Sequence, residues 1–314
     1  MHRAQARIDE HGAKIELSEA IHLRLDAEGR WGSFRRASEF YRRTLRDEVW
    51  CRDGELDLDE QRALTAEVGR CLVEVRDAID RGAITILGRR DELLGLVERA
   101  LALREDPVQR RAVFDQAYSE RVPILPPDRY RDLVVLPATG CPNGQCSFCA
   151  FYKDIPFRVF SREEFEQHLD RLEALLGRAV RSRDGLFLGS ANALALPHKK
   201  LVPMLETLRT RFGPRKRGLA SFFDPEHAPR RSAKDWQELA DLGLTQVVLG
   251  LETADPDLRA ALGKAADLSL IDDCLHAIRK TPIRAGLTLL LGAGPAASAH
   301  SQLRLASSYL SRLP

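Results

Sequence analysis

The sequence contains no apolar run long enough to cross a bilayer, which needs roughly 18 to 20 consecutive apolar residues. The first residues, Met1 to Arg7, also lack the apolar core of a signal peptide. We therefore expect a cytoplasmic protein with no membrane partner. Disulfide frameworks are rare in that reducing compartment, so the cysteines are expected to be free thiols or metal ligands.

The sequence also has no large excess of positive or negative charge. The 314 residues include 48 Lys plus Arg against 46 Asp plus Glu, a formal net charge of +2. This near balance gives no reason to expect nucleic acid as a bulk partner. Hydrophobic residues at 44% and charged residues at 30% are ordinary for a globular protein. The length is enough for one large α/β domain and a smaller module.

The pattern of the chain changes near residue 128. Before that point, helical spacing of apolar residues covers three segments, residues 59–80, 90–105 and 108–119. One alternating segment, residues 21–25, predicts a half-buried strand. A proline-rich connection, residues 123–127, follows these elements. We therefore predict an N-terminal, mostly helical α+β module over residues 1–127 and a second domain over residues 128–314.

The second domain alternates short apolar runs with amphipathic helices. The predicted strands are Leu133–Leu136, Leu186–Leu188, Leu219–Phe222, Gln246–Leu251 and Leu287–Leu291. The predicted helices are residues 162–176, 198–212, 232–242, 269–280 and 299–312. Repeated strand–helix units predict a parallel sheet with its chemistry at the carboxyl ends of the strands. The sequence leaves open whether this sheet ends at five strands or the chain continues past Pro314.

Three of the six cysteines lie in the segment 139–152, directly after the first of these strands: Cys141, Cys146 and Cys149. Thiolates are soft ligands, which iron–sulfur clusters and zinc prefer. The Pro-Asn-Gly turn after Cys141 allows the loop to curl, so that three sulfurs converge. Three ligands on a four-iron cluster leave one iron open, and an open position is typical of a reactive metal centre.

Other interpretations of the cysteines remain open at this point. Structural zinc would need His168 or His198 as a fourth ligand, although neither has zinc-finger spacing. A plant-type [2Fe–2S] site shares this spacing but needs a fourth cysteine, and Cys274 lies far along the chain in a predicted helix. Unligated core thiols are disfavoured by the polar turn between them.

The cysteine segment resembles the cluster loop of radical S-adenosylmethionine (SAM) enzymes. Their usual spacing is C-x3-C-x2-C, whereas here it is C-x4-C-x2-C. The resemblance covers residues 132 to about 296 and implies a partial (β/α)6-type barrel. It also implies that Cys141, Cys146 and Cys149 bind a catalytic [4Fe–4S] cluster that works on SAM. Phe148 takes the position that the family places near the adenine, and Tyr152 is a further candidate cofactor contact.

Two further segments resemble cofactor contacts of the same family. After the second strand, a run of small residues matches the stretch whose backbone holds the methionine amino group: Gly189, Ser190, Ala191 and Asn192. At the end of the fourth strand, Glu252 would bind the SAM ammonium or ribose, and Lys264 or Arg259 would meet the carboxylate. The alternatives are an ordinary strand-to-helix turn and a surface salt bridge between Glu252 and Lys264.

Two more candidate contacts follow from the predicted strands. Ser221, at the end of the third strand, is a candidate for the SAM ribose or carboxylate. Gly292, after the fifth strand, suits contact with the flat edge of adenine, and the alternative is a plain turn. The tryptophans Trp31, Trp50 and Trp236 are expected in the core or at an interface.

The resemblance implies oxygen-sensitive chemistry in which SAM is reductively cleaved to methionine and a 5′-deoxyadenosyl radical. That radical would modify a small-molecule or biosynthetic substrate, with flavodoxin or ferredoxin as the low-potential electron donor. Alternatives are 3-amino-3-carboxypropyl transfer, modification of RNA or peptide, and a non-enzymatic iron–sulfur or zinc protein. The substrate, the oligomeric state and the role of the N-terminal module are not specified by the sequence.

Overall fold

The computed structural model describes residues 4–103, 105–122, 124–189 and 191–313. The chain divides into two compact units, one of residues 1–117 with 170–183 and one of residues 118–169 with 184–314. The division predicted near residue 128 stays a prediction. Within the described ranges, no helix has both the length and the apolar character needed to cross a membrane.

In its described residues, the first unit contains an eight-stranded sheet. Seven strands follow one another antiparallel in chain order, and the eighth is parallel to the first. The strands are β1 (Gln5–Asp9), β2 (Gly12–Glu16), β3 (Ile21–Asp26), β4 (Trp31–Arg36), β5 (Glu39–Arg43), β6 (Val49–Cys51), β7 (Gly54–Glu55) and β8 (Thr85–Leu87).

The sequence predicted one strand in this module, and β3 confirms it at residues 21–25, but the other seven strands were not predicted. The missed strands are short, and each presents only one face to the core. Two of the inward residues, Ala6 and Ala13, are small, so the alternation of apolar and polar residues is weak. The sequence alone therefore does not predict these strands, which are recognised only from their pairing in the sheet.

The helices of this unit agree with the predicted segments: α1 (Leu58–Asp80), α2 (Arg90–Ala102) and α3 (Pro107–Ala117). Asp57 and Glu60 form a capping box that starts α1. The inner face of the sheet and the apolar faces of α1 and α2 form one core, in which Phe34, Val75 and Val97 are fully buried. The opposite face of the sheet is left to solvent.

The second unit contains, in its described residues, a five-stranded parallel sheet. Its strands lie side by side in chain order: β9 (Leu133–Val135), β12 (Leu186–Leu188), β13 (Leu219–Phe223), β14 (Leu244–Glu252) and β15 (Arg284–Leu289). A separate antiparallel pair joins β10 (Ala138–Thr139) and β11 (Arg158–Val159). The predicted α/β architecture with a parallel sheet is confirmed.

The helices of the strand–helix region also agree with the predicted segments, with one addition, the short α7. They are α4 (Arg162–Leu176), α5 (His198–Phe212), α6 (Ala233–Asp241), α7 (Pro256–Ala261), α8 (Ser269–Ile278) and α9 (Ala299–Leu310). Because all five strands are parallel and adjacent in chain order, their carboxyl ends lie along one edge of the sheet. The loops that leave those ends converge there.

Candidate active site

The carboxyl edge of the parallel sheet borders a cavity of about 370 Å³. Each of the five strands supplies a residue to the cavity lining, either from its last two residues or from the segment that follows it. These residues are Cys141, Asn192, Asp224, Glu252 and Thr288. Cys146 and Cys149 also line the cavity, so all three clustered thiols border it. All three are free and half-buried.

The cysteine loop is closed at its base by the β10–β11 pair. Thr139 pairs with Arg158 across that pair, and the Thr139 hydroxyl donates to the Pro156 carbonyl at 3.1 Å. The next amide, of Gly140, donates to the buried Glu120 carboxylate at 2.7 Å. Gly140 has φ 69°, in the left-handed region that favours glycine. A Cβ there would lie 2.4 Å from the Ile155 carbonyl oxygen, so the closure needs glycine at this position.

Replacing Gly140 by alanine is expected to open the base of the loop and lower iron uptake. Gly144, in the same loop, provides a matched control because it has φ 64° but its Cβ would meet only the Cys141 carbonyl, at 3.9 Å. Both changes add about 1 to 2 kcal/mol of left-handed strain, and only Gly140→Ala adds the clash. Thermal unfolding and iron content after reconstitution measure the difference. Equal iron loss in the two variants would contradict this account of the loop.

The loop is also tied to the end of α7. The Ser147 amide donates to the Leu262 carbonyl at 3.1 Å, and the Ser147 hydroxyl donates to the Ala261 carbonyl at 3.1 Å. Beside it, the Asn143 amide group donates to the Cys146 sulfur at 3.2 Å. Burial raises the pKa of the Cys146 thiol, and the Lys264 charge opposes that rise. Metal binding must therefore release a proton from this thiol.

Three thiols that line one cavity fit a [4Fe–4S] cluster better than the two alternatives considered from sequence. Among the described residues, the cavity wall contains no histidine and no fourth cysteine. His168 is buried and accepts a hydrogen bond from the Leu136 amide at 2.9 Å, and His198 pairs with Glu238. Cys274 lines a different cavity, beside Trp236. Zinc with a histidine ligand and a four-cysteine [2Fe–2S] site are thus not supported.

A lysine–aspartate pair lies on the wall near the thiols. The Lys264 ammonium is 2.9 Å from the Asp224 carboxylate, and Lys264 is only 8% exposed. Burial lowers the pKa of Lys264, but the charge and hydrogen bond of Asp224 outweigh it, so the pKa is raised overall. Asn192 fixes the Asp224 backbone, donating to its carbonyl at 2.9 Å and accepting from its amide at 3.2 Å. Lys264 is therefore a buried cation with a fixed partner, and the surface salt bridge to Glu252 considered from sequence does not form.

Glu252 is a strained residue on the same wall. Its φ is 62°, which is costly for a side chain other than glycine or asparagine, and the register of β14 shifts between Gly250 and Glu252. A Cβ on Gly250 would lie 2.6 Å from a Glu252 carboxylate oxygen and would clash with it. Glycine at position 250 therefore allows the carboxylate to take this position. Burial raises the pKa of Glu252, and Lys264 opposes that rise. Strained backbone and carboxylates with a raised pKa are concentrated at functional sites.

The structure brings most of the predicted site residues together, but not all. Those on the cavity wall are the three cysteines with Phe148, Tyr152, Ala191, Asn192, Glu252 and Lys264. Among the described residues, Gly189, Ser221, Arg259 and Gly292 do not line the cavity. Ser190 lies outside the described residues.

Two of these four residues have structural partners instead. Ser221 is fully buried and donates to the Leu188 carbonyl at 3.2 Å, between β12 and β13. Arg259 is also fully buried, donates to the Ala265 carbonyl at 2.6 Å and pairs with Glu226. These interactions explain why neither side chain reaches the cavity.

Asp224 and Thr288 are cavity residues that the sequence analysis did not name. Asp224 directly follows β13, and Thr288 is the next-to-last residue of β15. The rule that the chemistry of a parallel sheet lies at the carboxyl ends of its strands could have found both.

The model of the radical SAM superfamily matches residues 135–295, just over half of the chain. The chain belongs to the radical SAM superfamily. The cofactors of this radical SAM protein are accordingly those of the superfamily, a [4Fe–4S] cluster and SAM. No curated protein matches the chain.

Solved structures similar to this radical SAM protein include the cobalamin-dependent SAM radical enzyme OxsB, at 16% identity and TM-score 0.45 over 57% of this chain and 27% of that chain. The radical SAM methyltransferase TsrM from Kitasatospora setae aligns at 15% identity and TM-score 0.44, over 59% and 33% of the two chains. Coproporphyrinogen III oxidase (HemN) from Escherichia coli aligns at 16% and 0.44, over 59% and 43%. The chain thus spans about a third or less of the first two.

Proposed function

We propose that this radical SAM enzyme binds its cluster through Cys141, Cys146 and Cys149 and modifies a small-molecule or biosynthetic substrate in the cavity beside them. The supporting observation is that three free thiols, a buried ammonium and a half-buried carboxylate line one cavity. When bound, the cluster and SAM supply a carbon radical, in this proposal the 5′-deoxyadenosyl radical, that removes a hydrogen atom from the substrate. A low-potential donor such as flavodoxin or ferredoxin would supply the electron.

The charged residues of the wall are proposed to orient SAM. Lys264 remains protonated because Asp224 stabilises it, so its ammonium is available to the SAM carboxylate. Glu252 would accept a hydrogen bond from the SAM amino group or ribose. A cation and an anion fixed on the same wall suit a zwitterionic amino acid moiety, whose two charges they match.

The apolar part of the wall is proposed to shield the reaction from water. Phe148 is 40% exposed, whereas Tyr152 is only 8% exposed. Phe222 and Val248 continue the apolar surface from β13 and β14. Phe148, which lies in the cysteine loop and lines the cavity, would cover the adenine. Excluding water protects a reactive radical from side reactions.

Anaerobic reconstitution followed by product analysis tests this proposal. We expect about four irons per chain and, on reduction with SAM present, methionine and 5′-deoxyadenosine. Formation of 5′-methylthioadenosine instead would indicate transfer of a 3-amino-3-carboxypropyl group. One zinc per chain with no cleavage of SAM would contradict the proposal.

Replacing Glu252 by glutamine is expected to weaken SAM binding and to raise thermal stability at neutral pH. Because the folded-state pKa of Glu252 is raised, its contribution to stability is present at low pH and is lost as the pH rises through that pKa. Glutamine removes this cost, so we expect the melting temperature at pH 8 to rise by about 2 to 4 °C and the gain to shrink towards pH 4. The exposed Glu163→Gln is the matched control. A uniform shift across the pH range would argue against a buried charge at Glu252.

A further inference from the structure

The solvent face of the first unit's sheet has a row of cross-strand neighbours that runs across six strands. Side chains alternate between the two faces along each strand, and the register aligns one outward residue per strand with the next. The row consists of Arg7, Lys14, Arg24, Ser33, Arg42 and Trp50. Strand spacing of about 4.8 Å gives it a length of roughly 24 Å.

The positive charge of this row is largely uncompensated. Within the described part of the chain, Arg7, Arg24 and Arg42 form no ion pair and no side-chain hydrogen bond, and all three are exposed. Lys14 lies 2.9 Å from the carboxylate of Glu16 on its own strand. Arg7 is directly opposite Lys14, which is directly opposite Arg24, and like charges in such positions destabilise a sheet. A face that only needed to be solvated would be more stable with alternating signs.

Two aromatic rings are exposed at one end of the row. Trp50 is 46% exposed and directly opposite Arg42, and Phe40, two residues before Arg42 on the same face, is 55% exposed. Carboxylates near these rings already have partners, since Glu55 pairs with Arg111 and Glu39 with Arg36. The rings and the arginine between them are therefore open to a ligand.

We propose that this surface, the basic–aromatic face formed by Arg7, Lys14, Arg24, Arg42, Phe40 and Trp50, binds single-stranded nucleic acid. The guanidinium row would contact phosphates, and the two rings would stack with unpaired bases. A positive groove combined with aromatic platforms is how sequence-tolerant single-strand binding proteins work. The inference does not depend on the radical chemistry, because the first unit carries this face without any residue of the proposed active site.

The arrangement favours a single strand over the other polyanions that a basic surface attracts. Paired bases in a duplex offer no free faces to Phe40 and Trp50. A surface that binds an anionic membrane would carry its aromatic residues on projecting loops. Here the two rings lie within β5 and β6, beside Arg42. The net charge of the whole chain does not reveal this basic row. Its arginines are far apart in the sequence and become neighbours only when the strands pair.

Fluorescence anisotropy of the purified full chain with a labelled 12-nucleotide oligouridylate tests the proposal. We expect micromolar binding near 50 mM salt, weaker binding to a duplex of equal length, and affinity that falls steeply with added salt. The triple change Arg7→Gln, Arg24→Gln and Arg42→Gln should reduce the slope of log affinity against log salt by about 2. Trp50→Ala should weaken binding roughly tenfold.

A control removes the same charge elsewhere: Arg70→Gln, Arg81→Gln and Arg121→Gln, all exposed and off this face. It should bind the oligonucleotide like the unaltered protein. Melting temperatures should not fall in the Arg7, Arg24 and Arg42 triple variant, since it relieves cross-strand repulsion. Absence of oligonucleotide binding, equal loss in both triple variants, or binding only to phosphatidylserine vesicles would overturn the proposal.

Discussion

Replacing Cys146 by serine is expected to abolish both cluster binding and cleavage of SAM. Cys146 is one of three thiols on the cavity wall, and a hydroxyl is a hard ligand that iron–sulfur clusters do not favour. The loss of a direct ligand should exceed the roughly 10- to 100-fold that removal of an outer-shell partner costs. Iron per chain and the yield of 5′-deoxyadenosine after anaerobic reconstitution measure it. Cys141→Ser and Cys149→Ser are expected to behave alike.

Two other cysteines supply controls for this experiment. Cys51 is half-buried in β6 of the first unit, and Cys274 is buried beside a different cavity. Cys51→Ser and Cys274→Ala should both keep a full complement of iron. If Cys146→Ser retained its iron, or if Cys274→Ala lost it, the assignment of the three ligands would have to be abandoned.

Replacing Lys264 by methionine is expected to lower both SAM affinity and stability, for separable reasons. The affinity falls because the proposed partner of the SAM carboxylate is gone. The stability falls because Asp224, whose side chain is 17% exposed, loses its ammonium partner and keeps only the Glu226 amide and the His227 ring, which is 3.4 Å away. Breaking a fully buried pair costs about 3 kcal/mol or more, so we expect a smaller loss of stability at this half-buried carboxylate. Denaturant unfolding and isothermal titration with SAM measure the two effects.

A second variant distinguishes the two effects of Lys264. In the double change Asp224→Asn with Lys264→Met, no uncompensated charge remains, so most of the stability should return. SAM binding should stay weak, because the ammonium is still missing. Recovery of SAM affinity along with stability would show that Lys264 acts only on the fold, and the proposed carboxylate contact would then fail.

The sequence identified the cysteines that line the cavity, and most elements of the second unit, because these signals are local. The Cys141–Cys149 spacing lies within one loop, and the helices and parallel strands of the second unit follow periodicities of a few residues. Predicted and observed bounds agree for α4 at Arg162–Leu176 and β12 at Leu186–Leu188, whereas β15 begins at Arg284 and not at the predicted Leu287. The match to the superfamily model rests on the same stretch of chain.

The contacts of the cavity were predicted less completely because they depend on burial. Ser221 and Arg259 have suitable chemistry at suitable positions in the sequence, yet each is fully buried and bonded within the fold. Asp224, which was not predicted, is on the wall because β13 ends there and because Lys264 reaches it across the sheet edge. The spacing of residues along the sequence does not determine which way a side chain points or whether it is accessible.

By itself, the sequence determined the cysteine loop, the strand–helix order of the second unit and the family to which the chain belongs, because each depends on residues close together in the chain. Only the tertiary structure decided which side chains face the cavity, which carboxylate neutralises Lys264 and which arginines stand in a row beside Trp50. These outcomes depend on strand register and burial, which bring together residues that are far apart in the chain.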